Sequence, residues 1–213
     1  MTKKLKTAKG RKLSSTKWLQ RHIKDPYVNL ASLEGYRSRA AFKLLEIEKK
    51  FNIIHNTEIV LDLGSAPGSW LQFIKNKISN SSKIIGVDLK GIEDIDGVEF
   101  IKGDFCDPET WKKITILLDN KKADLILSDM APQSSGNKQI DHLRIISLAK
   151  NSYEFAKIFL EKNGNFIVKI IQGGKEKALL QEMQKEFKKV RFFKPKASYS
   201  SSSEIFIVAL HKI

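Results

Sequence analysis

EIVLDLGSAPGSW, residues Glu58–Trp70, decides the fold. Its first six residues form a short, nearly uninterrupted apolar run, as expected of a strand buried on both faces. Gly64-Ser65-Ala66-Pro67-Gly68 then breaks the run with small residues suited to a tight turn. From Trp70 to Lys77 the spacing predicts a helix. Strand, glycine-containing turn and helix together are the opening unit of an α/β sheet.

The same alternation continues outward. Strands are expected at Lys83–Leu89, Val98–Lys102, Asp124–Ser128, Asn165–Ile171, Val190–Phe193 and Glu204–His211. Helices are expected from Pro108 to Leu118, from Asp141 to Leu160 and from Lys175 to Lys188. Upstream, Ser38 is read as the N-cap of a helix from Arg39 to Phe51, with Lys43 at the edge of its buried face. Seven apolar strands interleaved with helices predict a mostly parallel seven-stranded sheet covered on both faces, a Rossmann-like α/β fold. Ligands of such sheets bind at the carboxyl ends of the strands.

That edge carries a pattern of its own. Gly64 and Gly68 let backbone approach a ligand with no Cβ in the way. The loop is not the GxGxxG fingerprint that holds a dinucleotide pyrophosphate. S-adenosylmethionine has no phosphate; it offers an amino-acid end, a cationic sulfonium and an adenosine. Asp62 beside the loop complements positive charge. Asp88 at the end of the second strand suits ribose hydroxyls. Asp104 after the third suits the adenine amino group, with Phe105 set to contact the adenine ring.

The chain has 213 residues, enough for one domain, and a formal net charge of +14. Such a field favours a polyanion, either nucleic acid or an anionic surface. Residues 1–24 hold nine Lys or Arg and no acid, and residues 1–30 are read as a basic, partly flexible RNA-binding arm. Residues 31–213 are read as a single domain. Trp18 and Tyr27 serve either to stack on bases or to pin the arm to that domain. A single cysteine, Cys106, excludes an internal disulfide and fits a reducing cytoplasm. The four histidines lack metal-ligand spacing, so no metal is expected. No apolar run reaches the roughly 18 residues of a membrane helix.

Trp18-Leu19-Gln20, Tyr36-Arg37-Ser38-Arg39-Ala40, Phe42-Lys43-Leu44, Asp62-Leu63-Gly64, Ala66-Pro67-Gly68, Ser128-Asp129-Met130-Ala131-Pro132, Val168-Lys169 and Ser203-Glu204 together resemble the FtsJ/RrmJ family of ribosomal RNA large-subunit methyltransferases. The resemblance covers nearly the whole chain. It implies S-adenosylmethionine-dependent 2′-O-methylation of a uridine in 23S ribosomal RNA, with the large ribosomal subunit as partner and a monomeric, cytoplasmic enzyme. It also implies a catalytic set of Lys43, Asp129, Lys169 and Glu204, and adds Trp70 and Asp129 to the cofactor contacts. One segment departs from the family pattern. Residues 196–204 read KASYSSSSE, where relatives often carry arginines before the glutamate; Lys194 and Lys196 are left to supply the charge.

A ribose hydroxyl is a weak acid, so methyl transfer needs alignment and help with the proton. Lys169 is the candidate base, oriented by Asp129 and Glu204, with Lys43 positioning the ribose or an adjacent phosphate. A lysine amine has a reference pKa of about 10.4; burial and cations lower it, carboxylates raise it. Two versions therefore stand: Lys169 accepts the proton, or it stays protonated and only positions the oxygen. Met130 and Pro132 are read as packing. The rival substrates are transfer RNA and the messenger RNA cap ribose. The rival classes are a nicotinamide oxidoreductase, opposed by the missing fingerprint, and a non-catalytic RNA-binding factor.

Overall fold

In the computed structural model the described residues are 23–132, 135–174 and 176–213. Seven strands, β1 (Ile59–Leu63), β2 (Lys83–Asp88), β3 (Glu99–Lys102), β4 (Ala123–Ser128), β5 (Leu160–Ile171), β6 (Phe187–Phe193) and β7 (Glu204–Lys212), form one sheet in the order β3-β2-β1-β4-β5-β7-β6. The first five run parallel; β7 is antiparallel to both its neighbours, β5 and β6. Among the described residues the helices with both ends defined are α1 (Pro26–Leu33), α2 (Ala40–Phe51), α3 (Ser69–Lys75), α4 (Pro108–Leu118), α5 (Lys138–Phe159) and α6 (Glu176–Glu186).

Side-chain parity divides the core into two layers, because successive strand residues face opposite sides. Val60, Leu125, Leu127, Ile167, Phe206 and Val208 pack with Leu44 and Ile47 of α2 and Trp70 and Phe73 of α3. Their strand neighbours Leu61, Leu63, Ile126, Phe166, Val168 and Ile207 pack instead with Ile114 of α4, Tyr153 and Phe155 of α5 and Met183 of α6. Helices thus cover both faces, as the alternation predicts. After β2 and β3 form on one side of β1, the chain crosses to add β4 on the other. The crevice for a ligand lies at that reversal, outside the carboxyl ends of β1 and β4.

Several local expectations change, among them the end of α6, which stops at Glu186 rather than Lys188, so that β6 begins at Phe187 rather than Val190. The helix expected to run through Leu160 stops at Phe159, and β5 begins five residues before the predicted Asn165. Leu160 already pairs with Ala123, and an irregularity in the ladder carries Asn163 at φ 63° with no intervening loop. Arg39, not Ser38, occupies the cap of α2, although the Ser38 hydroxyl still accepts the Ala40 N–H at 3.2 Å. Helix α1 was not expected: Asp25 caps it, Pro26 opens it, and its Ala31 packs beside Phe42 and Ala197. Of the basic N-terminal arm, residues 1–22, including Trp18, lie outside the described residues, as does Lys175 at the expected start of α6.

Candidate active site

The turn after β1 is built for close approach. Gly64 (φ +74°) and Gly68 (φ +102°) adopt left-handed backbone that a Cβ disfavours. A Cβ on Gly64 would also fall 1.9 Å from Met130 Cγ, and one on Gly68 would fall 2.7 Å from Arg37 Nη1. Gly64 and Ser65 donate their N–H groups to the Val87 carbonyl, which docks the turn against β2. Asp88 completes the bracket: its Oδ2 accepts the Ala66 N–H at 2.9 Å and its Oδ1 the Lys90 N–H at 2.8 Å. The Asp88 carboxylate therefore shapes the loop while retaining lone pairs for a ligand.

Beneath the turn lies a cavity of ≈ 40 Å³ bordered by Asp62, Gly64, Ser65, Ser69, Trp70 and Asp129. Asp62 is 1% exposed, and its Oδ2 has no hydrogen-bond partner among the described residues. Burial, then the nearby Asp129 and Asp88, hold its carboxyl well above the usual carboxylate range. A buried acceptor without a donor, at the wall of a cavity, fits a cationic ligand group such as an ammonium or sulfonium. Trp70 braces this wall from behind, donating its indole N–H to the Ala40 carbonyl at 2.7 Å. Asp104 is exposed after β3, with Oδ1 accepting the Cys106 N–H at 2.9 Å. Phe105 is placed differently from the expectation. Its ring is 5% exposed and packs edge-on against Phe155 at 6.3 Å, in the core rather than open to an adenine.

Next to the cavity, four charged side chains from four elements meet. Lys43 Nζ lies 2.8 Å from Glu204 Oε1 and 3.2 Å from Asp129 Oδ2. Lys169 Nζ lies 2.8 Å from Asp129 Oδ1 and 4.0 Å from Glu204 Oε2, and it donates to the Asp129 carbonyl at 2.6 Å. Parity explains the convergence. Asp62 shares the strand face of Val60, Asp129 follows Leu127 in step, Lys169 follows Ile167 and Glu204 precedes Phe206. All four project toward the layer of α2, where Lys43 stands.

The cluster sets two lysines against two carboxyl groups. Burial lowers the Lys43 pKa, but Asp129 and Glu204 outweigh it, so the group stands above its ordinary value. Burial opposes ionisation of Asp129, yet Lys169 and Lys43 prevail and its pKa falls below the usual value. Lys43 is therefore a fixed cation and Asp129 a fixed anion at neutral pH. One contributor went unread in the sequence: Ser198 Oγ donates to Glu204 Oε1 at 2.8 Å, steering the carboxylate from the preceding loop. A serine amid four others gives no local signal of that role.

The model of the FtsJ-like methyltransferase family matches residues 36–212. The chain belongs to that family. It is similar to the ribosomal RNA large subunit methyltransferase E of Rickettsia typhi (strain ATCC VR-144 / Wilmington), at 47% identity over 98% of this chain and 94% of the relative. It is also similar to the enzyme of that name from Wolbachia sp. subsp. Brugia malayi (strain TRS), at 44% identity over 97% and 93%. Among solved structures, a Plasmodium falciparum chain described as a ribosomal RNA methyltransferase superposes with a TM-score of 0.76. That match has 35% identity and covers 83% of this chain and 98% of the other. The protein is thus a methyltransferase, an enzyme that requires a methyl donor. Among the described residues no helix is long and apolar enough to cross a membrane.

Proposed function

We propose that the protein methylates the ribose 2′-oxygen of a uridine in 23S ribosomal RNA of the large (50S) subunit, using S-adenosylmethionine. The observation that carries this reading is the meeting of Lys43, Asp129, Lys169 and Glu204 beside a glycine-lined turn with an unpartnered buried carboxylate. The large-subunit substrate in the names of relatives that match along nearly their whole length supports the choice of RNA.

In this Rossmann-like reading, Asp62, Gly64, Gly68 and Asp129 hold the amino-acid and sulfonium end of the cofactor. Asp88 and Asp104 take its ribose and adenine, and Trp70 backs the wall. S-adenosylmethionine supplies a methyl group already activated by the sulfonium charge. The task left to the chain is to place an oxygen and remove a proton. Lys169 nitrogen donates to the main-chain oxygen of Asp129 at 2.6 Å and pairs with its Oδ1 at 2.8 Å, and in this reading its remaining position faces the 2′-hydroxyl. In the neutral amine that position is the lone pair that accepts the 2′-hydroxyl proton as the oxygen–carbon bond forms and the donor's sulfur–carbon bond breaks, its electron pair staying on the sulfur. Lys43, held as a cation by Asp129 and Glu204, positions the ribose or an adjacent phosphate. Residues 1–30 act as the RNA-binding arm of a single domain spanning residues 31–213, and the enzyme works as a cytoplasmic monomer.

The test uses large subunits, free ribosomal RNA and transfer RNA as methyl acceptors, followed by mapping of methylated riboses. Ribosomal RNA should accept the methyl group at one uridine 2′-oxygen. Loss of a general base typically costs about 10²–10⁴ in rate, so Lys169→Ala should abolish measurable turnover. S-adenosylhomocysteine should still bind that variant, which also checks its folding. Near-normal turnover by Lys169→Ala would remove the lysine from the mechanism, and methylation confined to transfer RNA would overturn the substrate.

A further inference from the structure

Between α1 and α2 the chain makes one short turn, Arg37-Ser38-Arg39, whose two arginines point to opposite ends of the active site. Arg37 Nη1 donates to the Pro67 carbonyl at 3.0 Å and Nη2 to the Asp94 carbonyl at 3.1 Å. One guanidinium thus ties the turn after β1 to the segment between β2 and β3. It also fills the space that a Cβ at Gly68 would take. The Arg37 N–H donates to Gln72 Oε1 at 2.9 Å, and Ser38 Oγ pairs with Ser69 Oγ at 2.7 Å, so the turn is fastened along α3 as well.

Arg39 reaches the other way. It donates to the Ala197 carbonyl and to Asp25, and its guanidinium lies 3.9 Å from the centre of the Tyr199 ring. Glu46, on α2, fixes the same segment by accepting the N–H groups of Lys196 at 2.6 Å and Ala197 at 2.9 Å. The adjoining residue, Ser198, is the one that donates to Glu204. A chain of direct contacts therefore runs from Arg39 through residues 197–198 to the carboxylate that holds Lys43.

We propose that Arg37 and Arg39 are positioning residues with separable duties: Arg37 sets the cofactor turn, and Arg39 sets the Ser198–Glu204 arm of the catalytic cluster. The inference rests on the functional reading above. It assigns this turn the task of holding the methyl-donor and proton-accepting halves of the site in register. Neither arginine needs to touch a reacting atom.

The experiment is a comparison of wild type, Arg37→Ala and Arg39→Ala on large subunits isolated from cells lacking the corresponding methylation. KM for S-adenosylmethionine and kcat come from the methylation assay, and S-adenosylhomocysteine affinity from calorimetry. Loss of a hydrogen bond from a charged donor means that Arg37→Ala should raise KM and Kd about tenfold or more, with kcat preserved at saturation. Arg39→Ala should lower kcat about tenfold or more while S-adenosylhomocysteine affinity holds. A purely structural part would lower the melting temperature without dividing the constants this way. Arg37→Lys and Arg39→Lys keep the charge but lose the two-pronged reach; they should show the same split in weaker form, and they carry the test if an alanine variant folds poorly. Parallel changes in both constants, or none, overturn the inference. Wild-type protein that fails to bind S-adenosylhomocysteine defeats the functional reading itself.

Discussion

At the scale of single residues, Asp62 faces the least compensated environment in the site. Its carboxyl is buried, one oxygen lacks a donor, and Asp129 and Asp88 add like charge. An acid whose pKa is raised by folding disfavours its own ionisation in the folded state. Stability is therefore lost as pH rises from the unfolded pKa of about 3.9 toward the raised folded value. Asp62→Asn should relieve this and raise neutral-pH stability by about 1–3 kcal/mol, read from denaturant melts without added ligand. The same substitution should weaken S-adenosylhomocysteine binding at least several-fold, because the ligand's ammonium loses its counter-charge. In wild type that affinity should grow as pH rises through the same window; a flat profile and an unaltered Kd for the variant would exclude Asp62 from the ligand.

At the scale of elements, the junction of β1 and α3 is the part least tolerant of change. Gly68 needs a left-handed backbone, and Arg37 already occupies the place of a Cβ. Gly68→Ala should cost about 1–2 kcal/mol from the backbone alone. It should also raise KM for S-adenosylmethionine, because the displaced guanidinium no longer bridges Pro67 and Asp94. Kinetics at varied cofactor concentration and a melt check both parts. Much of this was legible locally. A short apolar run, two glycines and a following helix can be read in thirteen residues, and the start of α4 is legible because Pro108 marks it. The join of α5 to β5 was not, because Gly164 falls four residues inside the strand rather than at the junction, and pairing of Leu160 with Ala123 decides where extended chain begins.

For the whole molecule, the formal charge of +14 is the property with the widest reach. Each phosphate neutralised by Lys or Arg releases condensed counterions, so affinity for ribosomal RNA should fall steeply with salt. On a log–log plot the slope should be about −0.7 to −0.9 per phosphate contact. Filter binding across a salt series measures this. Affinity for S-adenosylhomocysteine should change far less over the same range, since the proposed partner of its cationic end, Asp62, is buried, where screening is weak. Comparable salt slopes for both ligands would contradict a division between a polyanion-binding surface and a closed cofactor pocket.

Local order along the chain was enough to establish the strand–helix alternation, the glycine turn and which residues share a strand face, because periodicity and turn chemistry act over a few residues. The nomination of Lys43, Asp129, Lys169 and Glu204 came from resemblance to a family, and their union in space came from the sheet order. Lys43 and Asp129 are 86 positions apart, and Arg39 and Ala197 are 158 apart. No spacing rule spans such distances. Packing of α2 on one face of the sheet brings these groups together and helps to bury Asp62, while α5 on the other face closes over Phe105 and the loop before β7 gives Glu204 a hydrogen bond from Ser198.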